Sequence, residues 1–329
     1  IRDRVQEGHS SLPSLVIEAA RERVTSVCKA IDQARARGPY PCEGTQTLLS
    51  RLENIVSTAR RRLERLASVA STAPAETLEL AAGLGDLGLR VHQLLEFIAH
   101  SEWEHIPHVW VVPLEMLVNK AAPEAQPILS SWWAYNYFFT SISPAVAKLE
   151  AAVKIGERPC LLPVLGVPYA ERDNPLLHTI LAHEVSHLAV GQGEFDLPVG
   201  AASEAELESL AAQLLTSIDL PRGPLLEYRL KEALAHEFDQ RSQAWAEEVV
   251  ADVLALRTLG PAYFFAFAIL GASGQMFAEP DRDHPPLTVR VQALLQALEK
   301  WGYREVLPQP VQGLIAEWHA FVAAAPIPE

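Results

Sequence analysis

The chain has 329 residues, 49% of them hydrophobic, which is enough for a substantial core in one large or two smaller domains. Its formal net charge of −14 argues against a general nucleic-acid surface, which needs clustered lysine and arginine to neutralise phosphate. Leucine and alanine dominate and β-branched runs are few, so the composition predicts a mainly helical, α+β protein.

The sequence also bears on membrane association and compartment. The longest apolar stretches, residues 160–170 and 262–272, are far shorter than the roughly 18 to 20 residues that a membrane span needs, so we expect no spanning segment. The 3 cysteines show no paired-ligand spacing and suit a reducing compartment. We therefore expect a cytoplasmic protein. A periplasmic or secreted location stays open because the chain begins at Ile1 rather than at methionine.

Residues 11–100 carry apolar side chains at three- and four-residue spacing, which predicts helices. Breaks at Gly38-Pro39-Tyr40-Pro41 and at Ala73-Pro74 divide this region into three helices. We therefore predict a helical N-terminal unit over residues 1–105. One interpretation gives this unit a packing role alone. The other is that it binds a regulatory protein partner or covers the active-site cleft.

Two short apolar segments bounded by prolines, Ile106–Leu114 and Pro159–Val167, are the best strand candidates. The prolines within them favour edge positions in a small sheet or hairpin. Between these segments, Trp132–Phe139 holds six aromatic residues in eight positions. We favour core packing of a helix for this cluster, and an apolar substrate wall or partner surface is the alternative.

Residues 183–187 read His-Glu-Val-Ser-His within an apolar run that predicts a largely buried helix closed by Gly191. His183 and His187 are four residues apart, so they share a helix face and can present ring nitrogens to one ion. Glu184 lies one step round the helix. That position suits a carboxylate that reaches a metal-bound water without being a ligand itself.

Glu248, 61 residues after His187, lies with Asp252 in the strongly helical stretch 245–259. Both side chains share a helix face. The three ligands His183, His187 and Glu248 would leave the fourth tetrahedral position open, as in catalytic zinc sites, whereas structural sites have four protein ligands. We expect Asp252 to accept the free ring N–H of one histidine. The pattern predicts one zinc ion per chain.

A third motif, Asp-His-Pro-Pro-Leu-Thr-Val-Arg-Val, occupies residues 283–291. With His-Glu-x-x-His and Glu-x-x-Ala-Asp, it resembles the HtpX and CAAX-prenyl-protease group of gluzincin endopeptidases over roughly residues 155–295. The resemblance implies a zincin-like metallopeptidase domain, which we predict over residues 106–329. A helical insertion at about 192–241 and a small sheet beside the active-site helix complete the predicted domain.

The resemblance also implies roles for individual residues. The zinc ligands would be His183, His187 and Glu248, the general base Glu184, and the carboxylate behind the ligands Asp252. In this group the late motif lies by the active site, which implies that His284 and Arg290 are close to it. Members of the group often carry transmembrane helices that are missing here, so we infer no membrane-embedded or prenylated substrate.

The expected mechanism follows from these assignments. Glu184 would take a proton from the attacking water and deliver it to the leaving amine. The developing oxyanion needs a second electrophile, and His284 is the first candidate, with Tyr263 or Tyr228 as alternatives. Arg290 would hold the loop or pair with a carboxylate near the site. Gluzincin-like peptidases bind substrate as an added strand along a sheet edge.

These expectations describe a soluble zinc-dependent endopeptidase that acts on a protein or peptide substrate. An exopeptidase or an amidase would use the same chemistry and is one alternative. The other is a latent or partner-regulated module whose main role is protein binding through the N-terminal helices.

Overall fold

The structure is a computed structural model, and it describes residues 12–69, 74–134, 136–156, 158–191, 202–217, 224–272 and 283–324. The chain divides into two compact units, residues 1–181 (unit 1) and 182–329 (unit 2). The predicted boundary near residue 105 falls within unit 1. Across the described residues, no helix combines the length and apolar character needed to cross a membrane.

Unit 1 begins with three helices: α1 (Leu12–Arg37), α2 (Glu43–Val69) and α3 (Pro74–Ala99). The breaks come where Gly38-Pro39 and Pro74 predicted them, so the three-helix prediction is confirmed. Apolar positions spaced three and four residues apart form the core between these helices. The fully buried members include Leu48, Leu52, Ile55, Leu63, Val91 and Ile98.

The strand predicted at Ile106–Leu114 is wrong, because this segment belongs to helix α4 (His108–Ala121). Its buried side chains, Trp110, Val111, Leu114 and Val118, recur at helical spacing. The β-branched run and Pro113 obscured this periodicity in the sequence. Pro113 lies on the exposed side of the helix, where the loss of one backbone hydrogen bond is compatible with packing.

A three-stranded sheet follows, made of β1 (Ile128–Trp132), β2 (Phe138–Ser141) and β3 (Pro163–Pro168). The strand predicted at Pro159–Val167 is confirmed over its second half. Its predicted edge position is wrong: β3 is central, parallel to β1 and antiparallel to β2. All six residues of β3 are buried, and its prolines lie only at the first and last positions.

The helix favoured for Trp132–Phe139 is also wrong, because these residues connect two strands. Trp132 ends β1 and stacks on His100, while Trp133 is 81% exposed. Phe138 pairs with Gly166 of β3, and its ring fills the space that a Cβ atom at Gly166 would need. Trp132 and Phe138 therefore pack at the sheet and do not form part of a helical core.

The last helix of unit 1 is α5 (Ser143–Ala152), whose Val146 and Leu149 join the same core as the sheet residues Ile128 and Val164. Two 3₁₀ turns follow β3, at Tyr169–Glu171 and Leu177–Ile180.

Helices are the only regular secondary structure among the described residues of unit 2. These are α6 (Leu181–Gly191), α7 (Glu204–Ser217), α8 (Pro224–Leu259), α9 (Pro261–Ala272), α10 (Leu287–Lys300), α11 (Tyr303–Val306) and α12 (Gln309–Ala324). The helices predicted around the His-Glu-x-x-His motif and over 245–259 are confirmed. The position of a sheet beside α6 remains a prediction.

A sharp turn at Gly260 joins α8 to α9. Gly260 has φ = 65°, a left-handed conformation that favours glycine, and its N–H donates to the carbonyl of Leu256 at 2.7 Å. Pro261 then starts α9, as is common at the first helical position. The turn ends α8 and starts α9 at adjacent residues, and α9 contacts α8, the helix that carries Glu248 and Asp252.

Candidate metal centre

Helix α6 carries the two histidines of the motif, and their ring nitrogens lie close together. The Nε2 atoms of His183 and His187 are 3.1 Å apart, and the ring planes are at 90° to one another. His183 is buried and His187 is partly exposed. The four-residue spacing accounts for the shared direction of the rings.

Helix α8 adds the third side chain. One oxygen of Glu248, Oε2, lies 3.4 Å from Nε2 of His183, and the other, Oε1, lies 3.2 Å from Nε2 of His187. The three side chains form a group that could hold a metal ion, with ligand atoms within 4.8 Å of one another. Among the described residues, no fourth histidine, cysteine or acidic residue joins this group.

The donor set fits a divalent cation in spacing and in charge. Atoms bound to zinc at about 2.0–2.1 Å in a tetrahedron lie about 3.3–3.4 Å apart, close to the 3.1, 3.2 and 3.4 Å found between these atoms. The buried carboxylates Glu184, Glu248 and Asp252 face one buried guanidinium, Arg290. Acidic groups outnumber this one guanidinium in the cluster, which favours a bound cation.

Asp252 lies behind His183. Its Oδ1 is 2.9 Å from Nδ1 of His183, the ring nitrogen turned away from Glu248. The distance is that of a hydrogen bond, although the ring N–H does not point directly at the oxygen. Asp252 is fully buried, so this pairing is shielded from water.

Arg290 on α10 pairs with both carboxylates of α8. Its Nε and Nη2 each donate to Asp252 at 2.7 Å, and Nη1 lies 3.0 Å from Oε2 of Glu248. The guanidinium also stacks over the ring of Phe267, 4.9 Å from its centre. One arginine therefore links a candidate ligand to the carboxylate behind the other ligand.

Burial and the neighbouring charges shift the pKa values of these groups. Burial alone would lower the pKa of His183, but Asp252 and Glu248 outweigh it and raise the pKa to about 10. Burial opposes ionisation of Asp252, yet Arg290 and His183 lower its pKa to about 2. The pKa of Glu248 is lowered in the same way by the two histidines and Arg290, against the effect of burial. The carboxylates are thus ionised, as metal ligands and their supports must be.

Glu184 is a buried carboxylate in a different setting. Burial raises its pKa, and the nearby His183 and His187 oppose this rise only in part. No hydrogen bond or ion pair engages its carboxylate within the described part of the chain. A buried acid that pairs with nothing and borders a candidate metal centre is typical of a group that acts on a substrate.

The two candidate tyrosines are differently placed. Tyr263 on α9 is fully buried, and its hydroxyl donates to Oδ1 of Asp252. Tyr228 is exposed and donates to Glu232 on the same helix. Tyr228 precedes Glu248 by 20 residues on α8, or about 30 Å along a helix that rises 1.5 Å per residue. The alternative role of Tyr228 as an oxyanion partner is therefore wrong.

The late motif contributes in part. Arg290 lies inside the cluster, whereas His284 is exposed, in the segment that precedes α10. His284 is not part of the metal-binding group. Its role toward a substrate stays a prediction.

Sequence reasoning missed Phe267, the ring beneath Arg290. It considered Tyr263 only as an alternative contact to a substrate oxyanion and did not foresee its bond to Asp252. The four-residue spacing of these two aromatics on α9 was a visible signal, but only contact with α8 and α10 shows what they touch.

In comparisons with known proteins, no family model, no curated protein and no solved structure matches this chain. The resemblance to gluzincin endopeptidases therefore rests on three short motifs.

Proposed function

We propose that this protein is a zinc-dependent endopeptidase that cleaves protein or peptide substrates. The observation that carries the proposal is the group of His183, His187 and Glu248, with the buried Glu184 on α6 next to it. Within the described residues, no hydrogen bond or ion pair engages the Glu184 carboxylate. Three protein ligands are typical of a catalytic zinc site, because the fourth position remains for water or substrate.

The proposed chemistry divides between the ion and the chain. Zinc in this position supplies a Lewis acid that activates water near neutral pH and polarises a carbonyl group. Glu184 takes the proton of the attacking water and returns it to the leaving amine nitrogen. Its raised pKa suits this exchange, because the carboxylate must accept and then release the same proton. His284 is the proposed contact to the developing oxyanion.

Replacement of Glu184 tests the general-base role. The change Glu184→Gln keeps the shape of the side chain and removes its basicity. We expect the purified variant to retain one zinc per chain and to lose about 10²–10⁴-fold in turnover of casein or a mixed peptide library. Zinc content by atomic emission and initial rates of hydrolysis are the two measurements.

Glu247→Gln is the matched control, because Glu247 is next to Glu248 in the chain but accepts a hydrogen bond from the exposed Gln243 at 3.1 Å. This variant should keep both zinc and turnover. A Glu184→Gln protein with bound zinc and wild-type turnover would exclude Glu184 as the base.

The same assay separates the alternatives. Cleavage confined to chain ends would indicate an exopeptidase, and hydrolysis of simple amides without peptide cleavage would indicate an amidase. Bound zinc with hydrolysis only after addition of a partner would indicate a regulated module.

A further inference from the structure

Helix α9 contacts the candidate centre through two aromatic side chains four residues apart. Tyr263 and Phe267 are both buried. The hydroxyl of Tyr263 donates to Asp252, and the ring of Phe267 lies under Arg290. One face of α9 therefore supports both members of the buried carboxylate–guanidinium pair.

Side chains from three other helices approach oxygen Oδ1 of Asp252, which is carried by α8. It accepts a hydrogen bond from Tyr263 of α9 and another from Nη2 of Arg290 of α10, at 2.7 Å for the arginine. The same oxygen lies 2.9 Å from Nδ1 of His183 of α6. The position of this oxygen thus decides where the His183 ring can find its acceptor.

The phenol of Tyr263 is suited to locating that oxygen. Its ring is fully buried and tilts against Phe267, with ring centres 6.1 Å apart, so packing holds the hydroxyl in place. A hydroxyl has one hydrogen to donate, and here it is directed to Asp252. Tyr263 therefore has no donor left for a substrate oxyanion, the role first considered for it.

We infer that Tyr263 is a positioning residue that acts on the metal site through Asp252. It holds Oδ1 at 2.9 Å from Nδ1 of His183, and so keeps Nε2 of His183 directed toward Nε2 of His187 and the carboxylate of Glu248. This inference rests on the proposed zinc site. Groups that orient a histidine ligand in this way affect metal affinity about 10–100-fold.

The test is Tyr263→Phe, which removes the hydroxyl and keeps the ring. We expect zinc affinity, measured by competition with a chromophoric chelator, to fall about tenfold. The visible spectrum of the Co²⁺-substituted protein should change because the His183 ligand is displaced. A purely structural tyrosine would lower the unfolding temperature and leave both of these readouts unchanged.

Tyr303→Phe is the matched control. Tyr303 lies in the same unit, and its hydroxyl has no hydrogen-bond partner among the described residues. Zinc affinity and the Co²⁺ spectrum should equal those of the wild type. Unchanged or tighter zinc binding by folded Tyr263→Phe would overturn the inference, since the hydroxyl would then only compete with His183 for Asp252.

A double-mutant cycle tests the route through Asp252. In an Asp252→Asn background, Tyr263→Phe should cause little further loss of zinc affinity, and full additivity would overturn the route. Failure of the inference differs from failure of the proposed function. In the first case the wild type binds zinc and cleaves peptides while Tyr263→Phe binds equally well, and in the second the wild type does neither.

Discussion

His178 is a buried histidine whose protonation we expect to affect the free energy of unfolding. It is fully buried in unit 1, where its Nε2 lies 3.0 Å from the carbonyl of Arg172 and its Nδ1 lies 3.3 Å from the hydroxyl of Tyr137. The carbonyl can only accept, so Nε2 carries the hydrogen and Nδ1 accepts from the tyrosine. Both contacts are satisfied by the neutral ring.

We predict that His178 makes stability fall in mild acid. Burial lowers the pKa of His178 below 6.5. The hydrogen bond to the Arg172 carbonyl and the negative charges of Glu171 and Asp173 oppose this shift more weakly. Below about pH 6.5 the unfolded chain therefore binds a proton that the folded chain does not, so unfolding becomes more favourable as pH falls. The His178→Gln variant should show a flatter dependence of the unfolding temperature between pH 7.5 and 5.

Thermal unfolding of the full chain with a chelator present measures this effect without a contribution from metal binding. His92→Gln is the control, because His92 is exposed on α3 and should leave the pH profile unchanged. Parallel profiles for His178→Gln and the wild type would contradict the prediction.

Among individual residues, the sequence was most informative where spacing along one helix decides the geometry. His183 with His187, and Glu248 with Asp252, were predicted to share helix faces, and they do so. The partners of Tyr263 and Arg290 depend on contacts between α8, α9 and α10. Spacing along one helix could not predict them.

At the level of elements, the first turn of α2 shows a packing constraint that helix propensity would miss. A Cβ atom at Gly44 would lie 2.3 Å from the carbonyl oxygen of Gln126 and 2.4 Å from that of Pro127. These carbonyls belong to backbone that leads into β1 and cannot move as a flexible side chain would. Glycine at this position therefore allows α2 to approach the sheet.

We predict that Gly44→Ala destabilises the protein by about 1–3 kcal/mol, although alanine is the better helix former. Gly83→Ala is the control: Gly83 lies within α3 and a Cβ atom there meets nothing within 4 Å. That variant should gain about 0.5–1 kcal/mol. Urea denaturation of both variants measures the two changes, and a stabilised Gly44→Ala protein would be the contrary result.

The elements predicted wrongly share a physical cause. In α4 a β-branched run resembles a strand, and in residues 132–139 an aromatic run resembles a buried helix. Short apolar runs carry no clear period, so their conformation is decided by the surfaces they pack against. The N-terminal helices were predicted well because their apolar pattern persists over many turns.

At the scale of the molecule, the described ligands of the candidate centre all belong to unit 2. His183 and His187 lie on α6 and Glu248 on α8, and residues 192–223 separate these helices along the chain. A metal ion bound to the folded site would therefore link distant parts of one unit, and its binding free energy would add to the stability of that unit.

We predict that zinc protects unit 2 from hydrogen exchange. At a free zinc concentration 100 times Kd, binding contributes about 2.7 kcal/mol, so amides of α6 and α8 that exchange through opening of the site should slow by up to about 100-fold. Amides of α1 and α2 should be unaffected. Exchange detected by mass spectrometry, with and without chelator, gives both results.

The His187→Ala variant is the control for a specific effect, because it lacks one ligand and should show no protection by zinc. Equal slowing of exchange in α1 and α6 would contradict local stabilisation, as would no slowing in α8.

The sequence by itself determined the features that depend on local geometry: the helical character, the three N-terminal helices, and the pairing of side chains four residues apart on α6 and α8. These follow because 3.6 residues per turn place such side chains on one face whatever surrounds the helix. Tertiary structure decided how closely Glu248 approaches both histidines, that Asp252 is shared by Tyr263 and Arg290, and that β3 is central. The physical reason is that these contacts join residues far apart in the chain, and only packing between elements selects them.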